Sequence, residues 1–249
     1  MSRRKKAIIV IAALFLFCVI GALSVYFLWS GGYIRINHPE KKGYTVKGVD
    51  VSGYQGEIDW AVLSSQGIDF AFIKATEGSV HTDEFLEKNM KNSGNTGLRT
   101  GYYHFFSFES KGATQAENYI SHVPAFPGML PPVIDVELYG KFREQPLDRE
   151  TVRRELADMI GALKENYGCD PIIYTTQSTY DKYFEGDPPD CDLWLRNVYR
   201  EPAGDWTFWQ YDAHTVLDGY RGEEKFIDMN VFRGTKEEFE NYNTVEVSQ

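Results

Sequence analysis

Residues 131–137 read Pro-Pro-Val-Ile-Asp-Val-Glu, an apolar run that closes on two acids, Asp135 and Glu137. In a strand the side chains at i and i+2 point the same way, so both carboxyls project from one face. Acids so placed repel each other, and repulsion with desolvation raises the pKa of at least one of them. A pair held in unlike protonation states suits the cleavage of an acetal such as a glycosidic bond. One acid protonates the leaving oxygen while a carboxylate answers the positive charge that develops. The same pair also fits two solvated strand-end acids or a structural ion-pair network, so other residues have to decide.

Two further acids lie near the ends of apolar runs: Asp50 in Gly48-Val49-Asp50-Val51-Ser52, and Asp228 in Phe226-Ile227-Asp228-Met229-Asn230. Tyr54, Tyr103, Tyr139, Tyr174, Trp194 and Trp209 fall on or beside similar runs, and rings with an apolar body and a polar tip pack well on sugar faces. Lys74 is placed to balance one carboxylate or to pair with Glu77 three residues on. Gln210 is placed to donate to an acid or a sugar hydroxyl. His104 reads as a hydrogen-bonded interior histidine, and no nucleophile–base triad is visible. Four carboxylates also invite a metal, yet zinc spacing of His and Cys and a calcium-loop pattern are both missing. No metal and no cofactor is expected.

These residues need elements to position them. Candidate strands are 46–52, 69–75, 99–106, 131–137, 171–176, 193–198, 207–212 and 226–232, several nearly continuous in apolar residues as in strands buried on both faces. Helical spacing is clearest over 148–167, where Val152, Leu156, Met159, Leu163 and Tyr167 recur, with Asp148 as N-cap and Gly168 at the end. Weaker helical stretches cover 58–66, 83–93 and 112–122. Strands alternating with helices predict an α/β fold, and eight strands predict a closed, TIM-like barrel. Its first and last strands are then neighbours, which gathers Asp50, Asp135, Glu137 and Asp228 at one mouth. About eight residues separate 198 from 207, where a parallel crossover normally takes a dozen or more. The expectation is therefore an irregular β/α barrel with fewer helices than a full one and at least one late antiparallel strand. Thr235 and Glu238 form a capping box for a short helix, with a fraying tail after it.

The chain of 249 residues opens with Arg3, Arg4, Lys5 and Lys6, then an uncharged stretch over 7–29. As a helix that stretch spans roughly 35 Å at 1.5 Å per residue, enough for a bilayer. The basic cluster places residues beyond 29 outside the cytoplasm. The alternative is a signal peptide cut near Ser24, with the remainder secreted. The division expected is a cytoplasmic tail 1–6, a membrane anchor 7–29, a tether 30–45, a catalytic domain 46–236 and a tail 237–249. Without the four leading cations the formal net charge moves from −10 to −14, which argues against nucleic acid as a partner. Cys169 and Cys191 each precede a candidate strand by two residues, so an oxidising compartment permits a disulfide between them; two buried thiols are the alternative.

Read in order, the motifs resemble those of the family 25 glycoside hydrolases, lysozyme-like muramidases. They are Gly48-Val49-Asp50-Val51-Ser52-Gly53-Tyr54-Gln55-Gly56, Ile73-Lys74-Ala75-Thr76-Glu77-Gly78, Gly101-Tyr102-Tyr103-His104 and Asp135-Val136-Glu137. Ile173-Tyr174-Thr175, Leu193-Trp194-Leu195, Trp209-Gln210-Tyr211 and Asp228-Met229-Asn230 complete the set. The resemblance implies an irregular β/α barrel that hydrolyses the β-1,4 bond from N-acetylmuramic acid to N-acetylglucosamine in peptidoglycan. It implies Glu137 as general acid, with Asp135, Asp50 and Asp228 completing the acidic site, and retention of anomeric configuration. Asp135 then either attacks directly or orients the substrate's own acetamido group. Strand positions i and i+2 lie roughly 6.5–7 Å apart, longer than the ~5–5.5 Å carboxyl separation of direct displacement, which favours substrate assistance.

Two positions depart from the family's usual pattern. Arg196 comes after Leu193-Trp194-Leu195 where a small residue is common, and Asp212 comes after Trp209-Gln210-Tyr211 where a small polar one is. An Arg196–Asp212 pair between neighbouring strands is the expectation. The rival functions are a non-catalytic envelope protein that binds peptidoglycan and an enzyme acting on chitin-like polymers.

Overall fold

The computed structural model describes residues 2–243 and 245. Eight strands close into a barrel: β1 (Lys47–Val51), β2 (Phe70–Glu77), β3 (Arg99–Phe105), β4 (Val133–Val136), β5 (Ile172–Thr176), β6 (Leu193–Arg196), β7 (Phe208–Thr215) and β8 (Ile227–Phe232). Neighbours run parallel from β1 round to β7. β8 enters antiparallel to both β7 and β1 and shuts the ring. Closure leaves the barrel strands no open edge.

Period-two alternation divides the side chains between two cores. Phe70, Phe72, Val133, Ile172, Tyr174, Trp194, Phe208 and Phe232 form the cluster inside the barrel. Ala71, Ile73, Ile134, Val136, Ile173, Leu195, Trp209 and Val231 belong to the larger cluster between the barrel and its helices. Two glycines make room inside: a Cβ on Gly48 would sit 2.2 Å from the Phe70 ring, and one on Gly101 would sit 2.8 Å from Phe72. The interior is thus filled with rings up to the level where the acids begin.

Helices α2 (Trp60–Ser64), α3 (Leu86–Ser93), α4 (Gly112–His122), α5 (Arg149–Tyr167) and α6 (Gln177–Tyr183) come after β1 to β5 in turn. α5 has the features read from its sequence. Asp148 caps Thr151 N at 2.8 Å, Gly168 ends the helix at φ 70°, and Val152, Leu156, Met159, Leu163 and Tyr167 are its buried stripe. No helix connects β6 to β7 or β7 to β8. Residues 197–207 connect β6 to a parallel β7, so the short connection does not mark the antiparallel strand; β8 is that strand. An extended chain gains about 3.3–3.6 Å per residue, so the loop easily returns along a strand as short as Leu193–Arg196.

Outside the barrel, α1 (Arg3–Ser30) is long and apolar enough to cross a membrane, with mean hydropathy 3.0 over its most apolar window and none of that window buried. Residues 31–46 lie against the barrel wall and include a short turn of helix, Pro39–Lys42. Cys169 and Cys191 both pack half-buried against the outer core and are not joined in a disulfide; burial pushes the Cys191 thiol up to about 12. α7 (Lys236–Glu240) carries the capping box between Thr235 and Glu238. The expectation of a fraying tail falls in part on residues 244 and 246–249, outside the described residues.

Candidate active site

The carboxyl ends of the strands surround a cavity of about 520 Å³, and Asp50, Asp135, Glu137 and Asp228 all line it. Asp50 and Asp228 stand directly opposite each other across β1 and β8. Asp135 reaches the cavity from β4, and Glu137 from the residue just past that strand's end.

Their surroundings are unlike. Asp135 is 8% exposed, and its Oδ1 is buried with no hydrogen-bond partner among the described residues. Burial, and then the neighbouring Glu137 charge, pushes its carboxyl well above the usual range against the opposing pull of Lys74. Asp50 instead accepts two hydrogen bonds at Oδ2, from Gln210 Nε2 at 2.8 Å and Asn230 Nδ2 at 2.7 Å. Burial still raises it to about 6, less than it would without those donors. Asp228 is raised well above its ordinary value by burial and then by Asp50, with Arg196 opposing. A site holding neutral and ionised carboxyls together can deliver and receive protons near neutral pH.

A chain of hydrogen bonds fixes the aromatic wall to these acids. The Tyr174 hydroxyl donates to Gln210 Oε1 at 3.0 Å, and Trp194 Nε1 donates to Asn230 Oδ1 at 2.8 Å. Both amides then turn their NH2 groups on Asp50. Trp194 also stacks on Phe72 at 4.5 Å and meets Tyr174 edge-on at 4.4 Å. Tyr103, whose hydroxyl is held well above its ordinary pKa by burial and then the nearby carboxylates, lines the same space. Tyr54, 67% exposed, borders both this cavity and a second groove beside it. Lys74 fills both roles read for it: its Nζ pairs with Glu77 at 2.7 Å, and its charge reaches Asp135.

Two of the aromatic candidates lie elsewhere. Trp209 neighbours Gln210 on β7 and therefore faces the other way; it is buried in the outer core, where its Nε1 donates to Asn197 O at 2.8 Å. Tyr139 does not line the cavity. It stacks on Phe108 at 5.6 Å, and its hydroxyl accepts from Phe108 N at 3.1 Å. His104 is an interior residue, bonded to Thr76 Oγ1 at 2.7 Å and Gln115 Oε1 at 3.0 Å, and burial pushes it down to about 4.

The Arg196–Asp212 pair does not form. Between Gln210 and Asp212, β7 advances two residues while β8 advances one. This bulge turns Asp212 out of the cavity, where it accepts from Thr215 Oγ1 at 2.5 Å and lies 3.8 Å from Arg35 Nε. Arg196 faces the acids instead. Burial alone would lower its pKa, but Tyr174, Asp228, Glu137 and Asp50 together raise it. Asn230, Phe226 and His214 join the site without having been singled out as ligand contacts. Asn230 was within reach of sequence reasoning, since it lies at i+2 from Asp228 and shares its face. Among the described residues no group of His, Cys, Asp and Glu is gathered to hold a metal.

Known proteins share this arrangement of sequence and fold. The profile of Glycosyl hydrolases family 25 matches residues 49–220. A family 25 glycosyl hydrolase from Bacillus anthracis superimposes with a TM-score of 0.79 at 50% identity, covering 84% of this chain and 98% of that one. A bacterial lysozyme from Streptomyces coelicolor does so with a TM-score of 0.70 at 30% identity, covering 78% and 95%. Lysozyme M1 of Streptomyces globisporus is 32% identical over 210 residues, 76% of this chain and 68% of that protein. With the family's profile running from just before Asp50 to beyond Gln210, and its fold closing over the whole mouth, this chain belongs to glycosyl hydrolases family 25.

Proposed function

We propose that the chain is an N-acetylmuramidase that cleaves the β-1,4 bond between N-acetylmuramic acid and N-acetylglucosamine in peptidoglycan, with retention and with help from the substrate's acetamido group. The observation that carries this reading is the buried Oδ1 of Asp135, without a hydrogen-bond partner among the described residues, beside Glu137 at a mouth walled by Tyr103, Tyr174 and Trp194. Lysozymes and N,O-diacetylmuramidases among the relatives support the substrate.

In this mechanism Glu137 gives its proton to the leaving 4-oxygen as the C1–O bond breaks. The acetamido oxygen of the same sugar forms a bond to C1 from the opposite face, giving an oxazolinium ion. Asp135 accepts the acetamido N–H and balances the positive ring. Water, losing a proton to the Glu137 carboxylate, then opens the ring, and two inversions leave the configuration as it began. A carboxyl as strongly desolvated as Asp135 is a poor free anion, but it gains by meeting an N–H donor. That favours the orienting role over direct attack. Asp50 and Asp228 hold the opposite wall, with Asp50 kept in place by Gln210 and Asn230.

Localisation depends on α1: a retained anchor would hold the catalytic domain outside the cytoplasm, next to the wall. Mass spectrometry of the fragments released from purified peptidoglycan tests the activity, bond and substrate together. Disaccharide fragments with reducing N-acetylmuramic acid are expected. Binding to the wall without new reducing ends would make the chain a wall-binding protein, and cleavage of N-acetylglucosamine oligomers alone would make it a chitin-type hydrolase.

A further inference from the structure

The last turn of α1 ends against the rim of the acid cavity. The Trp29 ring meets His214 edge-on at 4.8 Å and Tyr199 at 6.4 Å. His214 and Phe226, with ring centroids 5.3 Å apart, both line the cavity. At Gly32, φ 79°, the backbone passes so close that a Cβ would meet the His214 carbonyl oxygen at 2.2 Å. The side chains of His214 and Phe226 therefore stand between the end of the apolar helix and the site.

Residues beyond the helix are pinned to the barrel. Asn37 is buried, and its Nδ2 donates to the carbonyls of Val198 at 2.7 Å and Tyr211 at 2.9 Å. Arg35 lies beside Asp212, while Lys42 and Tyr44 both reach the Glu201 carboxylate at 2.6 and 2.8 Å. A Gly-rich linker behaves as a flexible coil and lets a domain roam. These contacts instead give the barrel one orientation over the helix. Around the helix end Tyr33, Ile34, Ile36 and Tyr199 stand exposed, Tyr33 at 76% and Tyr199 at 67%. Tyr and Trp rings at the end of an apolar span are the composition of a membrane–water interface, where such rings sit at headgroup level. Beyond the four leading cations the chain is net acidic, so the contact is assigned to ring and aliphatic burial.

We propose that Trp29, Tyr33, Ile34, Ile36 and Tyr199 form a lipid-surface docking site that seats the barrel on the membrane with its acid cavity beside the bilayer. The substrate would then be glycan lying against the membrane rather than glycan deep in the wall. This rests on the reading of α1 as a retained anchor, and it does not depend on which bond the cavity cleaves.

The test uses the full chain reconstituted in phosphatidylcholine vesicles whose lipids carry bromine just below the headgroup. In the Trp29→Phe background, Tyr199→Trp adds one indole at the proposed docking site, while Trp60, Trp194, Trp206 and Trp209 are all buried. The added emission should be lost in brominated vesicles and kept in unbrominated ones. Combining Asn37→Ala with Arg35→Ala should restore it by freeing residues 31–37 from the barrel. No loss beyond that of the Trp29→Phe chain would overturn the proposal, and loss that survives the Asn37→Ala and Arg35→Ala changes would overturn the pinned orientation. Cleavage of soluble glycan oligomers by the same samples is scored separately. Its failure would count against the hydrolase reading and leave the docking result intact.

Discussion

Asp50 and Asp228 face each other as direct partners across the antiparallel β1–β8 pair, two acids where a sheet normally avoids like charge. Two amide groups, Gln210 and Asn230, support one member, while Arg196 lies near both. An arrangement that costs stability and is braced so heavily is expected at a working site.

That cost has a pH signature. Asp50 is raised to about 6 in the folded chain, so below its unfolded pKa it is neutral in both states and carries no penalty. As pH rises through about 6 the folded state must give up a proton it holds more tightly than the unfolded state does, and stability falls. Asp50→Asn should flatten this part of the curve and raise stability at pH 7 by up to about 1 kcal/mol, the scale of a cross-strand like-charge pair. Urea unfolding at pH 4.5 and 7.5 measures it; an unchanged slope would contradict the assignment.

His104 should act with the opposite sign. Its folded pKa, about 4, lies below the ordinary histidine value. The unfolded chain therefore takes up a proton first, and stability falls as pH drops from about 6.5 towards 4. NMR titration of the imidazole should show a neutral ring at pH 5.5, with activity insensitive to it.

Glu137→Gln should reduce kcat by about 10²–10⁴, the usual worth of a general acid, without loss of fold. Its carboxylate makes no hydrogen bond among the described residues, so nothing structural is broken. Release of reducing ends from peptidoglycan, measured beside far-UV circular dichroism, reads both. Wild-type rates in the variant would remove Glu137 from the acid role.

Asp135 separates the two retaining routes. If the acetamido group is the nucleophile, N-deacetylated glycan should resist cleavage by the wild-type enzyme, and no sugar should be trapped on Asp135. Mass spectrometry of the intact protein after a slow-substrate quench is the check. A covalent adduct on Asp135 would establish direct attack.

Arg196→Met should move the acid limb of the pH–rate profile upward, because Arg196 holds Asp50 and Asp228 below where burial would put them. Each unit of movement lowers the ionised fraction about tenfold on that limb. A profile that drops in height without moving would mean that Arg196 contacts substrate instead.

Much of this was already legible in residue order. Alternation by two places Asp135 and Glu137 on one face, and the same rule with closure brings Asp50 and Asp228 to them. The apolar stripe and caps of α5 are local, as is the capping box at Thr235, because each depends on residues within a turn or two. Sequence could also have rejected Trp209, since adjacent strand residues such as Trp209 and Gln210 cannot share a face. The bulge at Tyr211 was out of reach, because it exists only in the pairing of β7 with β8; it sends Asp212 to Arg35 and leaves Arg196 with the acids. Which strand turns antiparallel was likewise decided by how the ring closes and not by the length of one loop. The docking of residues 31–46 came from the same source: Asn37 finds its two carbonyls only after β6 and β7 are laid side by side. Local pattern chose the acids and the faces they occupy, and tertiary packing chose their neighbours, as where Asp50 meets Gln210 and Asn230 from more than a hundred positions away.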